Sequence, residues 1–181
     1  MTTKTDNEVW AILVAIFSAG LAERGLPATV LQSYQPTQQG VELTPVVVLH
    51  GIDSKRYGFP EDTSYYDEPA NEVKTRQGYW LERSYQVNAL AIQDPSNIAA
   101  PTAFDYIDAA AAIIQTTETQ ETLRGNGIGI LRVQQLRTAY IVDDRGRHEQ
   151  VPTFDFTLTY RQTFTKTVEP IVSIEADIFE V

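Results

Sequence analysis

Two histidines and no cysteine limit the nucleophilic chemistry this sequence can support. Without a thiol, a hydroxyl nucleophile would need His50 or His148 as its base. His50 stands in the β-branched run Pro45 to Ile52, PVVVLHGI, which reads as a buried strand with the histidine as a core residue. His148 follows the turn-forming run Asp143-Asp144-Arg145-Gly146-Arg147 and reads as solvated. No G-x-S-x-G elbow is present. Adjacent carboxylates occur at Glu61-Asp62, Asp67-Glu68 and Asp143-Asp144. Hydrolysis by paired acids needs them on opposite sides of one bond, which chain neighbours do not supply. No EF-hand spacing occurs, and cysteine-containing zinc sites are excluded. The run Gly125-Asn126-Gly127-Ile128-Gly129 has the texture of a phosphate loop, but it follows a helix and opens a strand. Dinucleotide loops and P-loops have the reverse order, so this run reads as a helix stop. Arg132, Arg137, Arg145, Arg147 and Arg161 are interspersed with acids, a pattern of cross-strand or intersubunit ion pairs. The expectation is a protein with no catalytic residues, no metal and no cofactor.

The elements that would position these residues follow from periodicity. A first helix is expected from Asn7 to Arg24, with Asp6 or Asn7 as cap and Gly25 and Pro27 as stop. Its run Trp10 to Leu21 is apolar nearly all round, so burial on more than one side is expected. Ala28 to Gly40 reads as extended or loop, rich in glutamine around Tyr34 and Pro36. After the strand at Pro45 to Ile52, Asp53 to Gly78 shows no period and reads as a long loop. Tyr57, Phe59, Tyr65 and Tyr66 argue against simple disorder there. Tyr79 to Gln93 alternates as a half-buried strand, ended by Asp94-Pro95. Thr102 caps a second helix from Ala103 to Thr117, with Asp105 three residues on. Three further strands are expected, at Ile128 to Val142, Pro152 to Phe164 and Ile171 to Val181.

These elements fit one α+β domain over residues 1–181: a mostly antiparallel sheet flanked by two helices, with a loop protruding at 53–78. The chain is 43% hydrophobic and 21% charged, ordinary for a folded protein, and its net charge is −10. With a pI near 4.6 it has no basic footprint for gripping DNA or an anionic membrane. Trp10 to Leu21 is shorter than the roughly 20 residues a spanning helix needs. Lys4 is offset by Asp6 and Glu8, so a secretory leader is not expected and cytoplasmic synthesis is.

The order of elements, and above all Val151 to Ile178, VPTFDFTLTYRQTFTKTVEPIVSIEADI, resembles the tailed-bacteriophage neck and tail-terminator proteins. These are also called tail completion or gateway proteins; they cap the tail tube and join it to the head connector. The resemblance runs from the first helix to the last strand. It implies a structural virion protein forming a ring, most often a hexamer, around the channel through which the genome leaves. Implied partners are further copies of the chain, the tail tube protein, head-completion or connector proteins, and the tail sheath. DNA would pass through the lumen without specific binding, and excess acid there would repel its phosphates. The implied location is the neck of the virion, after assembly in the host cytoplasm. Tyr57, Phe59, Tyr65 and Tyr66 are the expected protein-interface residues, because aromatics on an arm can dock into a partner's groove. Two other classes stand beside this reading: a small enzyme with a site built from scattered acids and His50, and a monomeric adaptor or secreted binding protein. Convergence of side chains and mass in solution discriminate them.

Overall fold

A reciprocal capping box starts the first helix. In the computed structural model, which describes residues 4–32, 45–92, 96–142 and 148–168, α1 runs Asp6–Glu23. Thr5, rather than Asp6 or Asn7, is the cap: its backbone N–H donates to Glu8 Oε2 at 2.6 Å, and its hydroxyl accepts from the Glu8 amide at 3.3 Å. The box needs an acid three residues after the cap, and only Thr5 has one placed so. Gly25 ends the helix at φ 71°, the left-handed conformation glycine adopts without steric cost. Val9, Trp10, Leu13, Phe17 and Leu21 are buried, while Ala11, Ala15, Ala19 and Ala22 are exposed. The apolar surface is therefore buried along one stripe, and its outer side is mostly alanine.

Strand β1 (Thr29–Gln32) pairs parallel with β2 (Val46–Asp67), and β2 turns through residues 68–71 into antiparallel β3 (Glu72–Leu90). Helix α2 (Ala103–Gln115) has the expected Thr102–Asp105 box. A third helix, α3 (Thr117–Gly125), follows, where the sequence suggests only two; the Thr116 hydroxyl accepts from the Thr119 amide and restarts the helix. The expected Ile128–Val142 strand is two strands, β4 (Ile128–Val133) and β5 (Arg137–Val142), both paired to β6 (His148–Val168). Between them the Gln134 amide bonds the Asp155 carbonyl at 2.7 Å, so the chain steps along one edge of β6. Among the described residues the sheet has six strands, in the order β1-β2-β3-β6-β4 with β5 also on β6.

The two helices α1 and α2 cover one face of this sheet. Val47, Leu49, Tyr85, Val87, Phe154, Phe156 and Leu158 point into that face and are fully buried. Tyr85 stacks on Phe156 at 5.3 Å, and Trp10 meets the Tyr85 ring edge-on at 5.1 Å. Each fully buried side chain of this size contributes roughly 1.5–3 kcal/mol of transfer free energy.

The segment 53–78 corrects the sequence reading. It is not a loop: β2 and β3 continue through it as a paired hairpin, tied by a Ser64–Thr75 hydroxyl bond of 3.0 Å and a Tyr66–Asn71 bond of 2.5 Å. Residues 51–66 are exposed, so no burial imposes the period-two pattern that would reveal the strand. Tyr34, Pro36, the Asp94-Pro95 break, the turn at 143–147 and the closing strand from Ile171 lie outside the described residues.

Candidate functional site

Three strands run beyond the helices as an arm: β2, β3 from 72 to 80, and β6 from 161 to 168, with β3 in the middle. The register sets which residues share a face. On one face lie Tyr57, Glu61, Thr63, Tyr65 and Asp67 of β2, Lys74, Arg76, Gly78 and Trp80 of β3, and Arg161 and Thr165 of β6. Asp62, Ser64, Tyr66, Thr75, Tyr79, Phe164 and Lys166 share the other.

The first face is held by charges that cross strands. Arg161 reaches over β3 to Glu61 on β2, Nη2 to Oε2, at 2.5 Å. Its path lies across Gly78, where an added Cβ would stand 2.5 Å from Arg161 Nη2 and 2.9 Å from Cζ. Glycine is what lets one side chain join the two outer strands. Nearer the tip Lys74 pairs with Asp67 and lies 4.0 Å from Glu72. The hydrogen bond to Asp67 holds the Lys74 ammonium above the usual lysine range. On the other face Tyr79 meets Phe164 edge-on at 6.1 Å, with the Arg56 guanidinium 5.5 Å over the Tyr79 ring.

All four aromatics predicted as interface residues lie on β2, but they do not form one patch. Tyr57 and Tyr65 share a face with Trp80; Tyr66 is on the opposite face. Phe59 sits in the bulge between Tyr57 and Glu61 and is 98% exposed. Two residues missed from sequence share the arm, Trp80 and Phe164, 49% and 47% exposed. Trp80 opens the polar face of its strand, ahead of Glu82, Ser84, Gln86 and Asn88, and that mismatch is the available signal.

At its root the arm is anchored to the core. Arg83 Nη1 lies 2.5 Å from Asp6 of α1, and Trp10 Nε1 donates to the same carboxylate at 3.3 Å. Burial pushes the Tyr85 phenol well above its ordinary range, offset in part by Arg83. On the helix-free face, Gln86 and Arg137 both donate to buried Asp155, Ser84 bonds Thr157 at 2.9 Å, and Asn88 contacts His50 at 3.1 Å. Burial holds His50 below the usual histidine range; it is half-buried rather than a core residue. The expected ion pairing of the arginines is seen for Arg137 and Arg161 but, among the described residues, not for Arg132, whereas Arg145 and Arg147 lie outside the described residues. Among the described residues no group of three or more His, Asp or Glu could hold a metal ion. No described helix is long and apolar enough to cross a membrane.

The model of a protein family described as E217 gateway protein gp29 matches residues 8–170. The chain belongs to this gateway protein family. The match takes in α1 from Glu8, the arm, and β6 to its end. A comparison with curated proteins gives no match. Among solved structures, the chain is similar to the sheath/tube terminator of an extracellular contractile injection system, PVC, in its extended state. The TM-score is 0.54 at 11% identity, over 100% of this chain and 65% of that one. At that identity the likeness concerns the fold, which gateway protein and terminator share.

Proposed function

We propose that this gateway-family protein closes the end of a tail tube and joins it to the head connector, as a homo-oligomeric ring with a channel for DNA. The observation that carries the reading is the family match over 8–170, supported by the terminator fold. The ring is hexameric in this reading and sits in the virion neck after assembly in the host cytoplasm. Its partners are the tube protein, head-completion or connector proteins and the sheath, and it catalyses no reaction.

Charge supports passage of DNA without adhesion. The helices carry Asp6, Glu8, Glu23, Asp105, Asp108, Glu118 and Glu121 against Arg124. On the helix-free side of the sheet, Arg137 and Arg161 are paired to the acids Asp155 and Glu61. Neither described surface is a basic stripe, so neither supplies the counterion-releasing contacts that fix a protein on DNA. Electron microscopy of purified tubes incubated with the protein tests the role. Density capping one end of each tube is expected; binding along the sides, or none, would refute it.

A further inference from the structure

Resting on the ring reading above, we infer that neighbouring copies join through the outer strands of the arm, β2 of one copy beside β6 of the next, in parallel. β3 is antiparallel to both β2 and β6, so those two strands run in the same direction, from root to tip. A ring contact is head-to-tail, so it sets β2 of one copy against a different edge of the next. Rotation keeps the component of strand direction along the axis, so strands that rise along the axis meet with β6 parallel to β2. A two-fold contact of β2 with β2 would be antiparallel, and chemically different.

Both edges are available among the described residues. β1 covers β2 only at 46–49. On the far side of β6, β5 pairs with 148–153 and β4 with 156–160; from 164 to 167 no described strand lies there. Such edges expose rows of backbone donors and acceptors that accept a further strand.

Charge selects the pairing. Residues 61–67 of β2 contain Glu61, Asp62 and Asp67 and no cation, whereas residues 161–167 of β6 contain Arg161 and Lys166 and no acid. The side chain of Glu61 remains 66% exposed despite its bond to Arg161, which leaves lone pairs for a second cation. Pairing β2 with β6 sets acids beside cations; pairing β2 with β2 sets acids against acids, which is destabilising.

The register supplies a direct test, because the chain has no native cysteine. Thr63 and Thr165 both oppose Arg76, so they stand at one height on one face. Within a copy they flank β3, about 9–10 Å apart and beyond disulfide reach. Full-length T63C is mixed with T165C, or with T167C for a staggered register, and oxidised mildly. Cross-linked dimers are expected in a mixture and absent from T63C alone, and the T63C/T165C double variant should give a ladder up to the ring. In parallel, K166E should lower the assembled fraction at least about tenfold, because like charges juxtaposed across an interface are costly, and D62K/K166E should restore it. Rings that form with T63C–T63C links, or with no link to either β6 position, overturn the edge assignment and leave the ring reading standing. A chain that never assembles, alone or on tubes, overturns both.

Discussion

Gly78 decides what Arg161 can do. With no side chain at that position, the guanidinium lies across β3 and binds Glu61 two strands away. Exposed ion pairs contribute about 0–1 kcal/mol, and alanine in place of a strand glycine gains roughly 0.5–1 kcal/mol, so G78A should leave Tm nearly unchanged. The difference should appear in a double-mutant cycle of E61Q and R161Q. A coupling of about 0.5–1 kcal/mol is expected in the parent, and a coupling near zero in the G78A background, where the added methyl blocks the path of the guanidinium. Equal coupling in both backgrounds would mean the pair does not depend on the glycine. A second residue offers an opposite sign. The Tyr85 hydroxyl is buried with no hydrogen-bond partner among the described residues. Removing an unsatisfied buried polar group is neutral or favourable, so Y85F should melt at or above the parent temperature. A loss of more than about 2 kcal/mol would reveal a partner for that hydroxyl.

At the scale of elements, what the sequence shows and what it hides divide by burial. Phe154, Phe156, Leu158 and Tyr160 alternate because helices cover one side of β6, and that stretch is legible. In the arm β2 is exposed on both faces and β3 is mostly half-buried on both, so mixed residues such as Lys74, Ser64 and Tyr66 carry no period. The arm is legible as a feature, through its aromatics, but not as sheet. Of the two capping boxes, the one at Thr102 is recognisable from sequence, whereas Asp6 and Asn7 compete with Thr5 as candidate caps for α1. Thr5 and Thr102 hold Glu8 and Asp105 below their ordinary carboxylate values, through backbone and then side-chain hydrogen bonds. For a depressed carboxylate the stabilisation is present above its unfolded value and lost as pH falls through the lowered folded one. Helical circular dichroism should therefore weaken as pH drops below the ordinary values of 4.5 for Glu8 and 3.8 for Asp105. T102A should lose about 1 kcal/mol at neutral pH and show a flatter acid response than the parent. An unchanged response would assign the acid sensitivity elsewhere. The arm itself can be shortened by closing the hairpin at the Tyr57–Trp80 pair with an Asn-Gly turn. The core faces of β2 and β3 lie outside that deletion, so the monomer should fold with Tm close to the parent while tube capping is lost. Capping retained at parental level would remove the arm from the interface.

The described molecule is an acidic helix layer on a sheet, three of whose strands extend beyond the helices. The resemblance stated from element order is upheld by the gateway family match, although two strands read as one in the sequence and the arm reads as a loop. Element order survives such errors because it depends on which segments are buried, not on where each boundary falls. The proposed ring rests on that family reading together with the arm. Native mass spectrometry of the full chain, alone and with tube protein, tests it most directly. A discrete hexameric species, formed by the chain itself or at tube ends, is predicted; a strict monomer under both conditions at high concentration would contradict it.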